Sequence, residues 1–410
     1  MIVAQRRFLG ATGEQWALIV ALPLNQAANS ALYTVLGPFR AEFGLSYVAM
    51  GAVLATYGLA RFVMDVPAGV LIRRVPLRLA LLVGLFVNLV SAAGSIASTA
   101  VWQIVAARTV QGVSSSVVQA GILAWLIIGA HSGVRGRVMA LSEALFSTVG
   151  LIVPLGTGAL ALAFGWRAAF ATATITGFLA CLAVLFGTDA ASAPKTTAPE
   201  AEPGSARASV WSSISSGGGM LLAAYLLAFI VAFSRLGMVN TLVPVIGSDQ
   251  LGLSPIQVGL GLTLANVVGI VMLMSGGWAG DRFGRRRLAA PGVMLLLLCQ
   301  CALFFIVDQR LFFVIVAAQG LGYFMNSFST SLVGDALPPH LRSIGIAGYR
   351  LVVDAAVLLA PVVVGAIADW RGFDAAKALT LAVTIVVLAV VWIAARAKEP
   401  HVHPAEIPSP

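Results

Sequence analysis

Charged residues are scarce in this sequence. Asp, Glu, Lys and Arg together make up 10% of its 410 residues, whereas 59% are hydrophobic and the mean hydropathy is +0.96. Because soluble chains carry about a quarter of their residues as charges, most of this protein's surface is expected to face lipid. The shortage of charge excludes a water-soluble globular fold and an intrinsically disordered chain.

Cysteine and histidine are also rare, with three and four residues respectively. Cys181, Cys299 and Cys301 all lie in apolar stretches, which favours small buried hydrophobes over redox or metal-binding groups. The histidines fall outside the long apolar runs. We therefore expect no disulfide framework, no metal site and no cofactor.

Motifs of hydrolytic enzymes are missing from the sequence. It contains neither H-E-x-x-H nor G-x-S-x-G, so no catalytic residues are expected and the protein is not predicted to be an enzyme. The net charge of +9 does not indicate a nucleic-acid partner, because the basic residues separate apolar runs instead of clustering beside a recognition fold.

Long apolar runs are what the sequence has in abundance. Twelve helices of about 20 residues would use roughly 240 residues, which suits the length of the chain. The pattern predicts an all-α membrane protein with twelve transmembrane helices. The runs begin near Trp16, Tyr47, Leu79, Trp102, Val138, Ala168, Met220, Ile256, Leu288, Leu311, Gly345 and Ala375.

One long polar segment divides these runs into two sets of six. It is rich in Ala, Ser, Pro and Thr, which predicts a flexible cytoplasmic linker over residues 188–216. The predicted organisation is an N-terminal six-helix bundle, the linker, a C-terminal six-helix bundle and a cytoplasmic tail. Their ranges are 1–187, 188–216, 217–398 and 399–410.

The distribution of basic residues predicts the orientation. With the N-terminus in the cytoplasm most Lys and Arg residues fall inside, as the positive-inside rule requires. Both termini are then cytoplasmic. The compact loops and the absence of an N-x-S/T sequence favour a multi-pass protein of the bacterial inner membrane. The basic residues left outside are Arg40, Arg167, Arg310, Arg371 and Lys377.

An internal repeat relates the two sets of helices. Residues of the first half return 207 or 208 positions later, which indicates a duplicated six-helix unit. Two such halves are related by an axis along the membrane normal and commonly enclose a binding site. The matches include Gly44-Leu45-Ser46 with Gly252-Leu253-Ser254, Gly51 with Gly259, Gly69 with Gly277, Gln111 with Gln319, Pro154 with Pro361, and Gly158 with Gly365.

Several motifs resemble the major facilitator superfamily of secondary transporters. The segment 277–286, between the eighth and ninth spans, is similar to the family's G-x-x-x-D-R-x-G-R-R loop and contains Asp281 and Arg282. Its counterpart in the first half has Arg73 where the family has Asp. Arg108 to Gly112 is similar to the R-x-x-x-G motif of span four. The spacing of Gly150, Pro154 and Gly158 resembles a degraded form of a motif of exporters, which lacks the family's glycine before Pro154. Bacterial drug exporters are the members that the sequence resembles most.

Ionisable residues within the spans are candidates for gating and coupling, because a charge inside the membrane is costly. Arg61 and Asp65 lie four residues apart near the inner end of span two, and Arg350 and Asp354 are spaced alike in span eleven. Either each pair is neutralised within its own helix, or the pairs cross-link spans two and eleven, which the resemblance places face to face. The resemblance also makes Glu143 a partner of the loop that holds Asp281 and Arg282.

Two arginines are expected to share one layer of the membrane. Arg108 lies about 9 Å below the outer face, and Arg235 about 22 Å from the inner face of a roughly 30 Å core. Without an acid at that depth they would favour an organic anion or a carboxylate-bearing zwitterion, unless they serve only structural roles. Further candidates for substrate binding are polar residues of the spans: Asn25, Asn29, Tyr33, Gln111, Asn240, Asn266 and Asn326.

The sequence therefore predicts a monomeric secondary active transporter that moves a small organic solute by alternating access. Its partners would be membrane lipid, a small-molecule substrate and protons, with Asp65, Glu143 and Asp354 as the candidate proton carriers. The span-five motif favours export and the paired arginines favour an organic anion, so uptake of an anion remains the alternative. A non-transporting sensor on the same fold is a further alternative.

Overall fold

A computed structural model of the chain describes residues 11–129, 132–189, 205–325, 332–333, 336–337 and 342–396. Across these residues the backbone forms helices and no β-sheet. Asn326 lies outside the described residues. Asn29, Glu143 and Asp281 lie in described helices, but their side chains are outside the description.

Within these ranges we number twelve principal helices α1 to α12 in chain order. Their starting points agree with the predicted runs to within a few residues except at α5 and α7, which begin earlier. The bounds are Gly13–Thr34, Tyr47–Arg74, Leu77–Ile96, Val101–Gly129, Ser132–Phe164, Ala169–Gly187, Ser205–Phe233, Pro255–Phe283, Arg285–Ala302, Gln309–Gln319, Arg342–Arg371 and Phe373–Arg396.

Among the described residues, ten of these helical segments are long and apolar enough to cross a membrane. The tenth helix continues as a 3₁₀-helix, and the resulting segment Gln309–Met325 is apolar but shorter. A short helix, Leu36–Phe43, connects α1 to α2. The prediction of an all-α, multi-pass membrane protein with about twelve helices is confirmed.

The segment predicted as a flexible linker is partly helical. The α7 helix begins at Ser205, so residues 205–216 extend it toward the N-terminus. Pro203 is the last proline before this helix, and the Ala, Ser and Arg residues that follow are compatible with helical geometry. Residues 205–216, which the composition predicted as part of the linker, are therefore helical.

The repeated Gly-Leu-Ser segments begin α2 and α8 in the same way. Gly44 and Gly252 adopt left-handed φ angles of 61° and 63°, which glycine tolerates because it lacks a Cβ. Ser46 then accepts a hydrogen bond from the Ala49 amide at 3.2 Å, a serine N-cap. At the second copy, the Ser254 amide donates to Gln257 Oε1 at 2.9 Å.

The two halves meet mainly where α2 packs against α11 and α5 against α8. Glycines bring the backbones together: a Cβ at Gly51 would overlap the Pro361 carbonyl, and one at Gly259 would overlap the Pro154 carbonyl. Gly51 and Gly259 are repeat partners, as are Pro154 and Pro361. The repeated residues therefore form two equivalent contacts across the interface of the halves.

We call the end of the bundle that holds the α1–α2 connection the distal end, and the end where α1 begins and α12 ends the terminal end. Beyond Phe233 the helix α7 continues toward the distal end as an irregular helix, in which Ser234–Leu242 and Ile246–Gln250 are π-helical. Such wide turns are rare and occur often at functional sites.

Candidate functional site

A polar network lies within the first half. The Tyr57 hydroxyl is 3.1 Å from Gln26 Oε1 and 3.0 Å from Ser115 Oγ. Asn25 accepts a hydrogen bond from Asn88 at 2.6 Å and donates to Ser115 at 3.3 Å. These bonds join α1 to α2, α3 and α4, so the predicted binding residue Asn25 connects helices in this conformation.

Arg108 is completely buried beside this network. Its guanidinium lies 5.1 Å from the centre of the Tyr57 ring and hydrogen-bonds Tyr33. One turn along α4, Gln111 is 1% exposed, and within the described part of the chain neither atom of its amide has a hydrogen-bond partner. Three predicted binding residues, Arg108, Tyr33 and Gln111, therefore lie on neighbouring turns of α1 and α4.

Arg235 lies in the second half and is exposed. It is the second residue of the π-helical segment Ser234–Leu242, and its guanidinium stands 4.9 Å from the centre of the Tyr323 ring. The Tyr323 hydroxyl donates to Asn266 Oδ1 at 3.4 Å, and the Asn266 amide donates to the Gly150 carbonyl of α5 at 3.0 Å. Asn240, further along the same π-helix, is half-buried.

The sequence did not predict the two tyrosines whose rings pack against Arg108 and Arg235. Tyr57 and Tyr323 carry no charge and sit in apolar runs, so nothing in their spacing marked them. Each stacks under an arginine of its own half. A search for tyrosines within the spans, where their hydroxyl groups need partners, would have found them.

The four charged residues predicted on spans two and eleven come together. The α2–α11 contact places Gly58 against Val357, and one turn toward the terminal end Arg61 and Asp354 interact electrostatically. Arg350 and Asp65 also interact with Asp354, so all four charged residues lie together at this contact.

Direct ion pairs are nevertheless absent among these four described side chains. Arg61 donates instead to Gln119 Oε1 of α4 at 2.7 Å. The predicted cross-links are thus juxtaposed but not closed in this conformation. Of the other predicted gating residues, Arg282 packs 5.5 Å from the Trp278 ring, whereas the side chains of Glu143 and Asp281 are outside the description.

At the distal end the halves are joined by polar contacts, which we call the distal seal. Arg40 pairs with Asp249 at 2.5 Å, and Asp249 also accepts a hydrogen bond from the Tyr47 hydroxyl at 3.3 Å. Asp369 of α11 accepts from the amides of Tyr47 and Val48 at 2.8 and 2.7 Å. It therefore caps the N-terminus of α2 across the interface, where a carboxylate is favoured by the helix dipole.

Toward the terminal end the same helices leave space around their glycines. A methyl group added at Gly69 of α2 or Gly277 of α8 would meet no atom within 4 Å, in contrast to Gly51 and Gly259. Among these four glycines, the two that contact the opposite half, Gly51 and Gly259, are therefore the two nearer the distal end. Within the described ranges, no group of three or more potential metal ligands occurs.

Comparison with known proteins identifies the family. A model described as Major Facilitator Superfamily matches residues 18–254 and 228–410. No curated protein sequence matches significantly. Solved structures similar to this chain include a bacterial homologue of the human lysosomal transporter Spinster in an inward-facing, occupied conformation (TM-score 0.76, 16% identity, 94% of this chain and 96% of that one).

Two further similar structures are a D-xylose–proton symporter (TM-score 0.74, 15% identity, 93% of this chain and 97% of that one) and a variant of the nucleoside transporter NupG (TM-score 0.74, 11% identity, 93% and 99%). At these identities the likeness concerns the fold. Because the family model matches almost the whole length of the sequence, this chain belongs to the Major Facilitator Superfamily of transporters.

Proposed function

We propose that the protein is a proton-coupled secondary active transporter that works by alternating access between its two halves. The observation that carries this proposal is the clustering of two acids, Asp65 and Asp354, with two arginines at the α2–α11 interface. Two neighbouring carboxylates repel each other when both are charged, so a proton held between them stabilises this arrangement. Loss of that proton would free a carboxylate to pair with a neighbouring guanidinium, which links the protonation state to movement of the halves.

The four charged residues can adopt a second arrangement, in which an arginine pairs with an acid of the opposite half. Arg61 now bonds Gln119 within its own half, and it interacts electrostatically with Asp354 across the interface. When the proton leaves, the free carboxylate attracts this guanidinium and the terminal end closes. Protonation state and conformation are therefore coupled through the same four side chains.

For the substrate we propose a small organic anion, with Arg235 as its principal contact. Arg235 is exposed, stands on the Tyr323 ring and belongs to a π-helical segment of α7. A guanidinium on an aromatic face presents its planar edge to a carboxylate. Arg108 is buried in this conformation and would contact the substrate only after the halves rearrange.

For the direction we propose export in exchange for protons. The exporter-like pattern of α5 lies at the interface, where the Gly150 carbonyl accepts from Asn266 and Gly158 packs on Pro255 of α8. Uptake of the same anion is the second candidate function. The exposed Arg235 is compatible with uptake and export alike, because it concerns the charge of the substrate and not the direction of transport. Transport measured under inward and outward proton gradients separates the two directions.

Asp354→Asn tests the coupling. In proteoliposomes with an imposed proton gradient, we expect this variant to lose gradient-driven accumulation of the transported anion while it retains exchange of labelled for unlabelled substrate. The reason is that asparagine keeps the shape of the cluster but cannot change its charge. Asp308→Asn is the matched control, because Asp308 caps α10 and asparagine is an equally good cap.

Two results would contradict the proposal. If Asp354→Asn accumulates substrate as well as the unmodified protein does, the acid pair does not carry the coupling proton. If accumulation and exchange are lost together while the Asp308→Asn protein is active, Asp354 is needed for movement or folding and not for coupling.

A further inference from the structure

A groove opens on the outer surface of the second half, between α9 and α12. Its volume is about 690 Å³, within the range of small-molecule sites. Every lining side chain is apolar apart from the indole N–H of Trp392. The lining residues are Ala290, Pro291, Met294, Leu295, Leu298, Ile385, Leu388, Ala389 and Trp392.

The groove has a direction with respect to the membrane. The residues of α9 that line it lie near its start at the terminal end, and Trp392 lies near the terminal end of α12. From Arg287 to Leu298 the helix rises about 16 Å, which is about half of a roughly 30 Å bilayer core. The groove therefore spans one leaflet, the length that a single acyl chain occupies.

A positive charge stands at the mouth of the groove. Arg287 is exposed and precedes Ala290, Pro291 and Met294 by three, four and seven residues, so it shares their helical face. Arg285 and Arg286 add two further basic residues at the start of α9. On α12, Arg396 follows Trp392 by four residues and is the last residue of the helix.

We propose that this groove binds an anionic phospholipid, with one acyl chain between α9 and α12 and the phosphate beside Arg287. Basic residues at the membrane surface attract anionic lipids, and Trp392, 49% exposed, lies at the depth where indole rings contact headgroups. The groove combines a long apolar surface with a positive charge at one end. A neutral lipid or a purely apolar ligand would not need that charge. The site is separate from the interface between the halves.

Quenching of Trp392 fluorescence tests this proposal. The full-length protein is placed in nanodiscs with phosphatidylglycerol or phosphatidylcholine brominated on the acyl chains, and the Trp392→Phe protein gives the background from the other tryptophans. We expect the anionic lipid to quench Trp392 at an about fivefold lower mole fraction than the zwitterionic lipid, the ratio for one basic residue at the surface.

Arg287→Gln should lower this ratio, because Arg287 shares the helical face of the groove, and Ala290→Phe, which narrows the groove, should lower it too. Arg310→Gln, which removes an exposed arginine at the start of α10, should leave the ratio unchanged. Equal quenching by both lipids in the unmodified protein, or a ratio that survives Arg287→Gln, would overturn the proposal. Absence of quenching by either lipid would also overturn it and would indicate that a second copy of the chain covers the groove.

Discussion

Arg108 and Arg235 differ in their access to water, although the sequence placed both in one layer. Arg108 is enclosed by tyrosines and helices of the first half, whereas Arg235 rests on Tyr323 with its guanidinium exposed. An exposed guanidinium can exchange its hydration for a carboxylate at little cost, but a buried one would first have to give up its present partners. We therefore assign first contact with an anion to Arg235.

Arg235→Ala tests this assignment directly. We expect an organic anion present at 100 times its dissociation constant to stabilise the unmodified protein by about 2.7 kcal/mol, and to give no shift in the variant. The measurement is thermal unfolding of the purified protein with and without ligand. Tyr323→Phe is the control, because phenylalanine keeps the ring under Arg235 and should keep most of the shift. Equal stabilisation of the Arg235→Ala protein would remove Arg235 from the site.

Glu42 gives a pH-dependent contribution to stability at the distal end of the first half. Arg167 pairs with its carboxylate at 2.7 Å and the Trp166 indole donates to it, and these two bonds lower the pKa of Glu42 below its usual value. A carboxyl group with a lowered pKa stabilises the folded state above its unfolded pKa and loses that effect as the pH falls through the folded pKa.

We therefore expect Glu42→Gln to lower the melting temperature at pH 7, and the difference from the unmodified protein to disappear well below pH 4.5, the ordinary value for this group. Thermal unfolding at several pH values measures the difference. A gap between the two proteins that does not change with pH would show that Glu42 acts through its shape and not through its charge.

At the scale of the helices, small residues fix how closely α2 approaches α11. Gly51 allows the α2 backbone to contact the Pro361 carbonyl, and the repeat partner Gly259 allows the equivalent contact of α8 with Pro154. We expect Gly51→Ala to destabilise the distally closed conformation by about 1–3 kcal/mol, the usual cost of overpacking. The measurement is the rate at which a thiol reagent modifies a cysteine introduced at Ser248, on the distal side. This rate should rise when the distally closed conformation is destabilised.

Gly69→Ala is the matched control for this experiment. It lies on the same helix, and the added methyl group would meet no atom within 4 Å. We expect it to behave as the unmodified protein does. If Gly51→Ala and Gly69→Ala have the same effect, helix propensity and not the contact with Pro361 determines the result.

Helix number, span positions and the repeat could be predicted because apolar length and glycine punctuation are local signals. Gly44 and Gly252, which are repeat partners, adopt the same left-handed conformation before α2 and α8. The contact of Gly51 with Pro361 is likewise repeated as the contact of Gly259 with Pro154. The helical start at Ser205, the π-helical segments of α7 and the tyrosines under the arginines could not be predicted. Those features depend on which helices become neighbours, and spacing along one chain does not encode that directly.

At the scale of the whole molecule, the distal seal and the acid pair lie on opposite sides of the α2–α11 contact. Arg40, Asp249 and Asp369 hold the distal ends of the halves together, while Asp65 and Asp354 lie toward the terminal end. A rocking motion about this contact would break one group of interactions as it tightens the other. The two ends of the molecule should therefore move in opposite directions.

Distances between spin labels at the two ends test this central claim most directly. One pair of labels replaces Ala41 and Gln250 at the distal end, and another replaces Arg73 and Phe283 at the terminal end, all of them exposed residues. When the pH is raised, we predict that the distal distance lengthens while the terminal distance shortens. Asp354→Asn should abolish both changes. A distal distance that stays constant while the terminal distance changes, or changes that persist in Asp354→Asn, would contradict the account.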